Sequence, residues 1–230
     1  MRRGIFGRKK MEPSRGNYPA LPSIKYGETV RLKIDEVRQY CFALAAQRGY
    51  PEDSFGMIAD RVGFLERRGL PGFEALILDL TTFKNETLAE RFSIVRPNGV
   101  KGGHCPFVAG VQLDDKLDEF TSGDPYTSNV IIAPSAAMLL IPKVASFAGP
   151  MGRLVSITWY RDDQEALKTV LDGYRIAHNG DLTALANATE IGFARYPEEE
   201  YPIPPIQAGQ FNDIEVSAER MLAIQDLLDE

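Results

Sequence analysis

Two chemically versatile side chains are neighbours near the middle of the chain, in the stretch Gly102-Gly103-His104-Cys105-Pro106. A thiol becomes a nucleophile when a nearby cation or helix end lowers its pKa, and an imidazole is a general acid or base near neutral pH. The glycine pair permits a tight turn before them, and the proline restricts the backbone after them. We therefore predict His104 and Cys105 as candidate catalytic residues.

The same pair also has a purely structural interpretation. Neighbouring side chains on a strand point to opposite faces, so His104 and Cys105 could act together only in a turn. In the structural interpretation Cys105 is a small buried hydrophobic residue and His104 is an exposed turn residue. The other histidine, His178, could approach the pair in space. Cys41 falls on the apolar stripe of a helical pattern, which predicts a core position.

Basic and aromatic residues elsewhere are candidate ligand contacts. Lys101, Gly102 and Gly103 form a loose glycine loop that could hold an anion, although a P-loop requires a lysine directly after its last glycine. Arg68 is a second candidate for holding an anion. Trp159 ends an apolar strand pattern and could line a small-molecule pocket. Hairpin formation explains the glycines equally well, and core packing explains the tryptophan.

Metal binding is not predicted. The two histidines and two cysteines do not have the spacings of a zinc site. Carboxylates at 114–119 and 162–163 could hold magnesium, but such clusters are usually solvated. The sequence does not identify a cofactor.

The composition is that of an ordinary globular protein: 230 residues, 44% hydrophobic and 25% charged. Two cysteines cannot form a disulfide framework, which indicates a reducing compartment. No apolar run follows the basic start, so we expect no signal peptide and a cytoplasmic protein. The most apolar stretch, 130–148, contains prolines and a lysine, which favours a strand and a buried helix over a membrane span.

Charge is distributed unevenly along the chain. The net charge is −6, although residues 1–15 carry six basic side chains against one glutamate. The rest of the chain is therefore strongly acidic. Because neutralising phosphates requires a basic surface, the acidic body argues against nucleic acid as a partner.

The first part of the chain has helical periodicity. Apolar residues recur at helical spacing over about 35–49, 51–69 and 73–83. Three helices joined by short turns can bury a common seam, so residues 30–84 are predicted to form a helical subdomain.

The second part of the chain is rich in strand patterns. We predict five short strands, at 92–95, 130–132, 153–160, 174–177 and 191–194. The segment 107–113 is predicted as a strand or turn.

Three further elements are predicted in the second part. A helix is expected from Pro134 toward Phe147, bent at Pro142. Asp162 or Asp163 should cap a short helix that ends at Gly173. Asn179-Gly180 should turn a hairpin whose second strand is 182–185, and the chain should close with a helix from about Ile214.

Segregated helices followed by strand-rich sequence predict an α+β fold: an N-terminal helical subdomain packed on a mixed β-sheet with flanking helices and a C-terminal helix. The expected organisation is a basic tail and extended lead-in at 1–29, the helical subdomain at 30–84, and a sheet domain with the closing helix at 85–230.

Several motifs are similar to those of a known family. They are Leu32-Lys33-Ile34-Asp35-Glu36-Val37, Arg48-Gly49-Tyr50, Arg68-Gly69-Leu70-Pro71-Gly72-Phe73, Cys105-Pro106-Phe107 and Val155-Ser156-Ile157-Thr158-Trp159. In this order they resemble a bacterial family catalogued as domain of unknown function 3726. The resemblance covers residues 30–160 and implies a single fold without implying a reaction.

Two classes of function are consistent with these features. The first is a cytoplasmic protein that binds a small polar or anionic metabolite where the 99–110 loop meets the sheet, with His104 and Cys105 available for catalysis. The second is a non-catalytic subunit or scaffold, in which 197–209, the final helix and the basic tail contact a protein partner or a second copy.

Overall fold

The computed structural model covers both predicted halves of the chain. The basic tail, the predicted strand at 92–95, the loop at 101–104 and most of the proline-rich segment at 197–209 lie outside the described residues. The described residues are 27–82, 105–113, 116–124, 128–173, 175–197 and 213–229.

Helices form the N-terminal part, as predicted. They are α1 (Ile34–Gln47), a 3₁₀ turn (Glu52–Ser54), α2 (Phe55–Glu66) and α3 (Gly72–Thr82). The Glu36 carboxylate accepts the Lys33 N–H at 2.7 Å, which satisfies a free amide at the start of α1. Gly49 follows α1 with a φ of +73°, a left-handed conformation that glycine adopts without strain.

The buried stripe of α1 is the predicted one. Val37, Tyr40, Cys41 and Leu44 are each at most 1% exposed and lie one helical turn apart. They face α2 and belong to a cluster of buried apolar side chains that continues into the sheet. Cys41 is therefore a core residue, and burial raises the pKa of its thiol well above the usual value.

The segment 107–113 is helical, so the predicted strand or turn is wrong. Helix α4 spans Pro106–Leu113, and α5 spans Leu117–Ser122. The buried residues Pro106, Ala109, Gly110 and Leu113 are three or four positions apart, which is helical spacing. Proline is also favourable at the first position of a helix, where its missing N–H is not needed.

A five-stranded sheet forms the second half of the structure and confirms the α+β class. Its strands, in spatial order, are β2 (Asn129–Ile132), β6 (Glu190–Arg195), β3 (Leu154–Arg161), β4 (Gln164–Asp172) and β5 (Arg175–Gly180). Every described pair in this sheet is antiparallel, whereas a mixed sheet was predicted.

The predicted helix after Asp162 and Asp163 is in fact strand β4. These two aspartates have φ values of 51° and 64°, the positive values of a two-residue hairpin turn. They therefore join β3 to β4, where a helix cap was expected. The alternate residues Leu167, Thr169 and Leu171 of β4 are fully buried.

The predicted hairpin at Asn179-Gly180 is also wrong. Both residues belong to β5, which pairs with β4 up to the partners Gly180 and Leu167. The Asp181 carboxylate then accepts the Thr183 N–H at 2.9 Å. This local turn leads into a short helix, α7 (Ala184–Asn187), in place of the expected second strand.

The helix after β2 begins later than predicted. Ala136 has a left-handed backbone with a φ of 49°, and a 3₁₀ turn (Ala137–Leu140) follows it. Helix α6 (Ile141–Met151) comes next. Pro142 lies in the first turn of α6, where a proline does not bend a helix, so the predicted bend is wrong.

The closing helix also begins later than predicted, because a strand precedes it. Strand β7 (Asp213–Ser217) pairs antiparallel with β1 (Thr29–Lys33) in a separate two-stranded ribbon. Helix α8 (Ala218–Asp229) then packs against α1 and α3. Its apolar side chains Met221, Ile224 and Leu227 are buried there.

Two further predictions concern membrane-spanning helices and the division of the chain into subdomains. Among the residues that the structure describes, no helix combines the length and the apolar character that crossing a bilayer requires. The division of the chain at 84/85 stays a prediction.

Candidate functional site

Cys105 lies at the start of a helix. Its carbonyl oxygen accepts the Ala109 N–H at 3.1 Å, so it is the residue from which α4 begins. The residue has no exposed surface. The free amides at a helix N-terminus carry partial positive charge, which favours a thiolate over a thiol at this position.

The hydroxyl of Tyr50 links the Cys105 thiol to a carboxylate. Its oxygen lies 3.7 Å from Cys105 Sγ and 3.0 Å from Asp79 Oδ2. A phenol has one proton, and the carboxylate of Asp79 is the stronger acceptor for it. The Tyr50 oxygen then accepts the thiol S–H. The three groups therefore form a hydrogen-bond chain, in which the thiol donates to the phenol oxygen and the phenol donates to the carboxylate.

Asp79 is a fully buried carboxylate on α3. Its second oxygen, Oδ1, accepts the Ser135 hydroxyl at 2.8 Å. One hydroxyl thus bonds to each carboxylate oxygen, which lowers the free-energy cost of keeping this group in the interior. We refer to Cys105, Tyr50, Asp79 and Ser135 as the thiol cluster.

The backbone beside Ser135 adopts a costly conformation. Ser135 lies in the turn between β2 and the 3₁₀ turn, and the next residue, Ala136, has the left-handed φ noted above. A non-glycine residue in this region costs about 1–3 kcal/mol, and such residues concentrate at functional sites. The strained turn aims the Ser135 hydroxyl at Asp79.

The thiol cluster can carry out one kind of chemistry. When the Cys105 proton moves to Tyr50 and the Tyr50 proton moves to Asp79, a thiolate forms at the start of α4. A thiolate is a strong nucleophile toward electrophilic carbon. The four residues come from separate parts of the fold: the segment after α1, α3, the start of α4 and the turn after β2.

Of the predicted catalytic pair, the structure describes only Cys105, and His104 lies outside the described residues. Lys101, Gly102 and Gly103 also lie outside them, so their ligand contacts stay predictions. Among the described residues, Tyr50 contacts the Cys105 thiol.

Arg68 follows the end of α2 and contacts an aromatic ring on that helix. Its guanidinium carbon lies 3.5 Å from the centroid of the Phe64 ring, and Nη1 donates to the Phe64 carbonyl at 2.9 Å. These contacts hold the side chain along the end of α2. Its predicted role of holding an anion stays a prediction.

Trp159 lies in the core of the sheet. The residue has no exposed surface, and its indole N–H donates to the Thr169 hydroxyl at 2.8 Å. Thr169 Oγ1 lies 3.0 Å from His178 Nδ1 on the neighbouring strand. The described contacts of Trp159 are those of core packing, and its ligand contact stays a prediction. We refer to Trp159, Thr169 and His178 as the threonine chain.

His178 ends the threonine chain with an unsatisfied nitrogen. Its Nε2 is buried and has no hydrogen-bond partner among the residues that the structure describes. Burial lowers the pKa of His178 to about 4, so the imidazole is neutral near pH 7.

Three residues of the thiol cluster were missed in the sequence. One signal could have identified Asp79: it is a charged residue on the apolar stripe of α3, beside Leu76 and Leu80. A buried carboxylate at such a position needs hydrogen-bond donors from other elements. Nothing in the local sequence indicates that Tyr50 and Ser135 supply them.

A groove of about 630 Å³ lies elsewhere, between the α2–α3 turn and the β1–β7 ribbon. Two ion pairs line it, Arg31 with Glu215 and Arg220 with Glu74. The buried Glu66 also lines the groove, and its Oε1 accepts the Phe73 N–H at 2.7 Å. This bond caps the start of α3, which gives the carboxylate a structural role.

No group of three or more His, Cys, Asp or Glu side chains is placed to hold a metal ion in the described parts of the chain. The aspartate pair 162–163 forms the hairpin turn between β3 and β4.

Comparison of the sequence with family models and with curated proteins, and of the fold with solved structures, finds no match. The family resemblance of the quoted motifs stays a prediction.

Proposed function

We propose that this chain binds a small polar or anionic metabolite and adds the Cys105 thiolate to a carbonyl carbon of it: the S–C bond forms as the C=O π bond opens, and the carbonyl oxygen takes up the proton that Asp79 received through Tyr50. One observation carries the proposal: the Tyr50 hydroxyl stands between Cys105 Sγ and the Asp79 carboxylate, at 3.7 and 3.0 Å. Asp79 is the proton acceptor in this mechanism, and Tyr50 passes the proton to it. His104 stays a predicted partner in the reaction.

The polar surroundings of Cys105 support this role over simple packing. Cys105 and Cys41 belong to the same cluster of buried side chains, but Cys105 in addition contacts the Tyr50 hydroxyl. Keeping a carboxylate, a phenol and a serine hydroxyl together in the interior costs free energy unless each is hydrogen-bonded. Such an arrangement at the start of a helix is typical of an activated thiol.

The test is site-resolved alkylation of the native protein with iodoacetamide, followed by mass spectrometry. The two cysteines are equally buried, so we expect Cys105 to react about tenfold or more faster than Cys41 because the helix start favours its thiolate. Cys105→Ser should remove the fast reaction, and Cys41→Ser should leave it unchanged. Equal rates at the two cysteines, or reaction only after unfolding, would contradict the proposal.

Two variants test the proton path. Tyr50→Phe removes the bridging hydroxyl, and Asp79→Asn removes the proton acceptor. We expect each to slow alkylation of Cys105 about tenfold or more at pH 7. Unchanged rates in folded variants would assign Tyr50 and Asp79 a purely structural role.

The charge of the metabolite can be tested with a matched pair of reagents. Iodoacetate and iodoacetamide have the same leaving group, but only iodoacetate is anionic. We expect the ratio of the two rates at Cys105 to favour iodoacetate relative to the ratio for glutathione, because an anion-binding site concentrates the charged reagent. The same ratio for both thiols would exclude an anionic substrate.

The predicted scaffold function is not proposed, because the described contacts favour another use of the final helix. Met221, Ile224 and Leu227 of α8 are buried against α1 and α3 within the same chain. The predicted protein partner or second copy stays a prediction that light scattering can test.

A further inference from the structure

Arg61 is a buried cation that contacts the first turn of α4. The residue lies on α2 and is 5% exposed. Its Nη1 donates to the Pro106 carbonyl at 3.2 Å, and its guanidinium carbon lies 5.4 Å from the centroid of the Phe107 ring. Both contacts are with the two residues that follow Cys105.

Because Gly110 has no side chain, the Arg61 guanidinium can occupy the space beside it. A Cβ built at Gly110 would lie 2.5 Å from Arg61 Nη2 and 2.7 Å from Nη1, closer than non-bonded atoms can approach. A glycine in a helix interior is unfavourable by about 1 kcal/mol relative to alanine, so its presence in α4 has a packing reason. The guanidinium therefore lies flat along α4 from Pro106 to Gly110.

The charge of Arg61 is permanent at any pH at which the protein is folded. In the interior this charge is screened much less than at the surface, so it acts strongly on groups within one helical turn. Cys105 is the neighbour of the residue whose carbonyl Arg61 holds. A positive charge against the first turn of the helix favours a thiolate at its start, and it adds to the effect of the helix N-terminus.

We propose that Arg61 is the positioning residue for Cys105: it fixes the first turn of α4 and makes the loss of the thiol proton easier. The inference rests on the proposed role of Cys105 as a nucleophile. It assigns to Gly110 the role of making room for the guanidinium.

The experiment is the pH profile of Cys105 alkylation by iodoacetamide in the full chain, between pH 5 and pH 10. Arg61→Met removes the charge and keeps most of the stem. We expect its profile to shift upward by about one pH unit, which slows alkylation about tenfold at pH 7. Arg61→Lys keeps the charge and should restore most of this shift.

Gly110→Ala displaces the guanidinium without changing Arg61 or Cys105. Because the nearest atoms belong to the end of a flexible side chain, the helix can keep its place while the guanidinium moves. We expect a shift in the same direction as for Arg61→Met. If Arg61→Met does not fold, Gly110→Ala carries the test, since it retains the buried charge and is expected to shift the profile.

Arg38 provides the matched control. It is a partly exposed arginine that pairs with Asp60 on the surface, so Arg38→Met should leave the profile unchanged. An unchanged profile in folded Arg61→Met, or in folded Gly110→Ala, would overturn the role of Arg61. Wild-type Cys105 that reacts as slowly as Cys41 would instead overturn the proposed function itself.

Discussion

Two buried hydrogen-bond chains in this molecule are each bridged by a hydroxyl, but they end at different groups. In the thiol cluster, the Tyr50 hydroxyl bridges Cys105 and Asp79. In the threonine chain, the Thr169 hydroxyl bridges Trp159 and His178. The first chain ends at a carboxylate that accepts a hydroxyl on each oxygen, whereas the second ends at an imidazole nitrogen without a described partner.

The two ends determine what each chain can do. Asp79 is held by donors that stabilise its charge, and it stands next to a group that has a proton to give. Burial keeps His178 neutral, and the described groups beside it provide no negative charge to stabilise an imidazolium. The comparison separates a hydroxyl bridge between a thiol and a carboxyl group from a hydroxyl bridge that ends at a neutral imidazole.

The largest effect is expected from removing the acceptor of the thiol cluster. Asp79→Ala leaves the buried Tyr50 hydroxyl and the partly buried Ser135 hydroxyl without this acceptor, which should lower the free energy of unfolding by about 4 kcal/mol. Urea unfolding monitored by circular dichroism measures the change. Asp60→Ala, which removes an exposed partner of a surface ion pair, should cost less than about 1 kcal/mol. Equal effects would mean that the cluster does not depend on this carboxylate.

The second effect tests the neutral imidazole of the threonine chain. The pKa of His178 is lowered from 6.5 to about 4 in the folded state, so the folded state binds this proton less readily than the unfolded state. The stability that this residue contributes is complete above about pH 6.5 and is lost as the pH falls toward 4, by about 3 kcal/mol.

His178→Gln isolates this contribution, because glutamine does not titrate and can still accept the Thr169 hydroxyl proton. We expect the loss of stability between pH 7 and pH 4.5 to be smaller in the variant by about 2 kcal/mol, since only part of the shift lies in this range. Urea unfolding at the two pH values gives the difference. An identical loss in the two proteins would show that His178 titrates normally in the fold.

The third effect comes from removing the bridge of the threonine chain. Thr169→Val keeps the shape of the side chain but leaves the Trp159 N–H and His178 Nδ1 without their shared partner. We expect a destabilisation of about 2 kcal/mol. Thr81→Val is the control, because the Thr81 hydroxyl is exposed and bonds to its own helix, so it should cost less than about 0.5 kcal/mol. A cost at Thr169 no larger than at Thr81 would contradict the bridge.

The smallest effect is expected at the outer end of the thiol cluster. Ser135→Ala removes one of the two hydroxyls on Asp79 and should cost about 1 kcal/mol, measured as before. Ser146→Ala is matched in type, since this exposed hydroxyl bonds to a carbonyl three residues earlier in its own helix. A destabilisation at Ser135 as large as that of Asp79→Ala would contradict a role limited to one hydrogen bond on Asp79.

The fold could be predicted from the sequence where apolar residues recur at the same spacing over several turns. Helices α1 to α3 each show two or more turns of buried stripe, so their existence and approximate bounds followed from spacing. Helix α4 has only eight residues, and strand β4 follows two aspartates that resemble a helix cap. A pattern this short is compatible with both helical and strand periodicity. Packing against the rest of the fold determines which of the two structures forms.

The site could be predicted only in part, because its members are brought together by the fold. Cys105 was identified by its residue type and by the proline after it. Tyr50, Asp79 and Ser135 are 29 or more positions apart in the sequence, so no local pattern connects them. Arg61 and Gly110 were missed for the same reason: the fit between them exists only once α2 and α4 are packed.

The antiparallel ribbon of β1 and β7 has a consequence for how the protein is made. Thr29 pairs with Ser217, and α8 then fills the space beside α1 and α3. During translation the first three helices leave the ribosome well before their last packing partner has been synthesised. Apolar surface on α1 and α3 therefore stays uncovered until α8 has been synthesised.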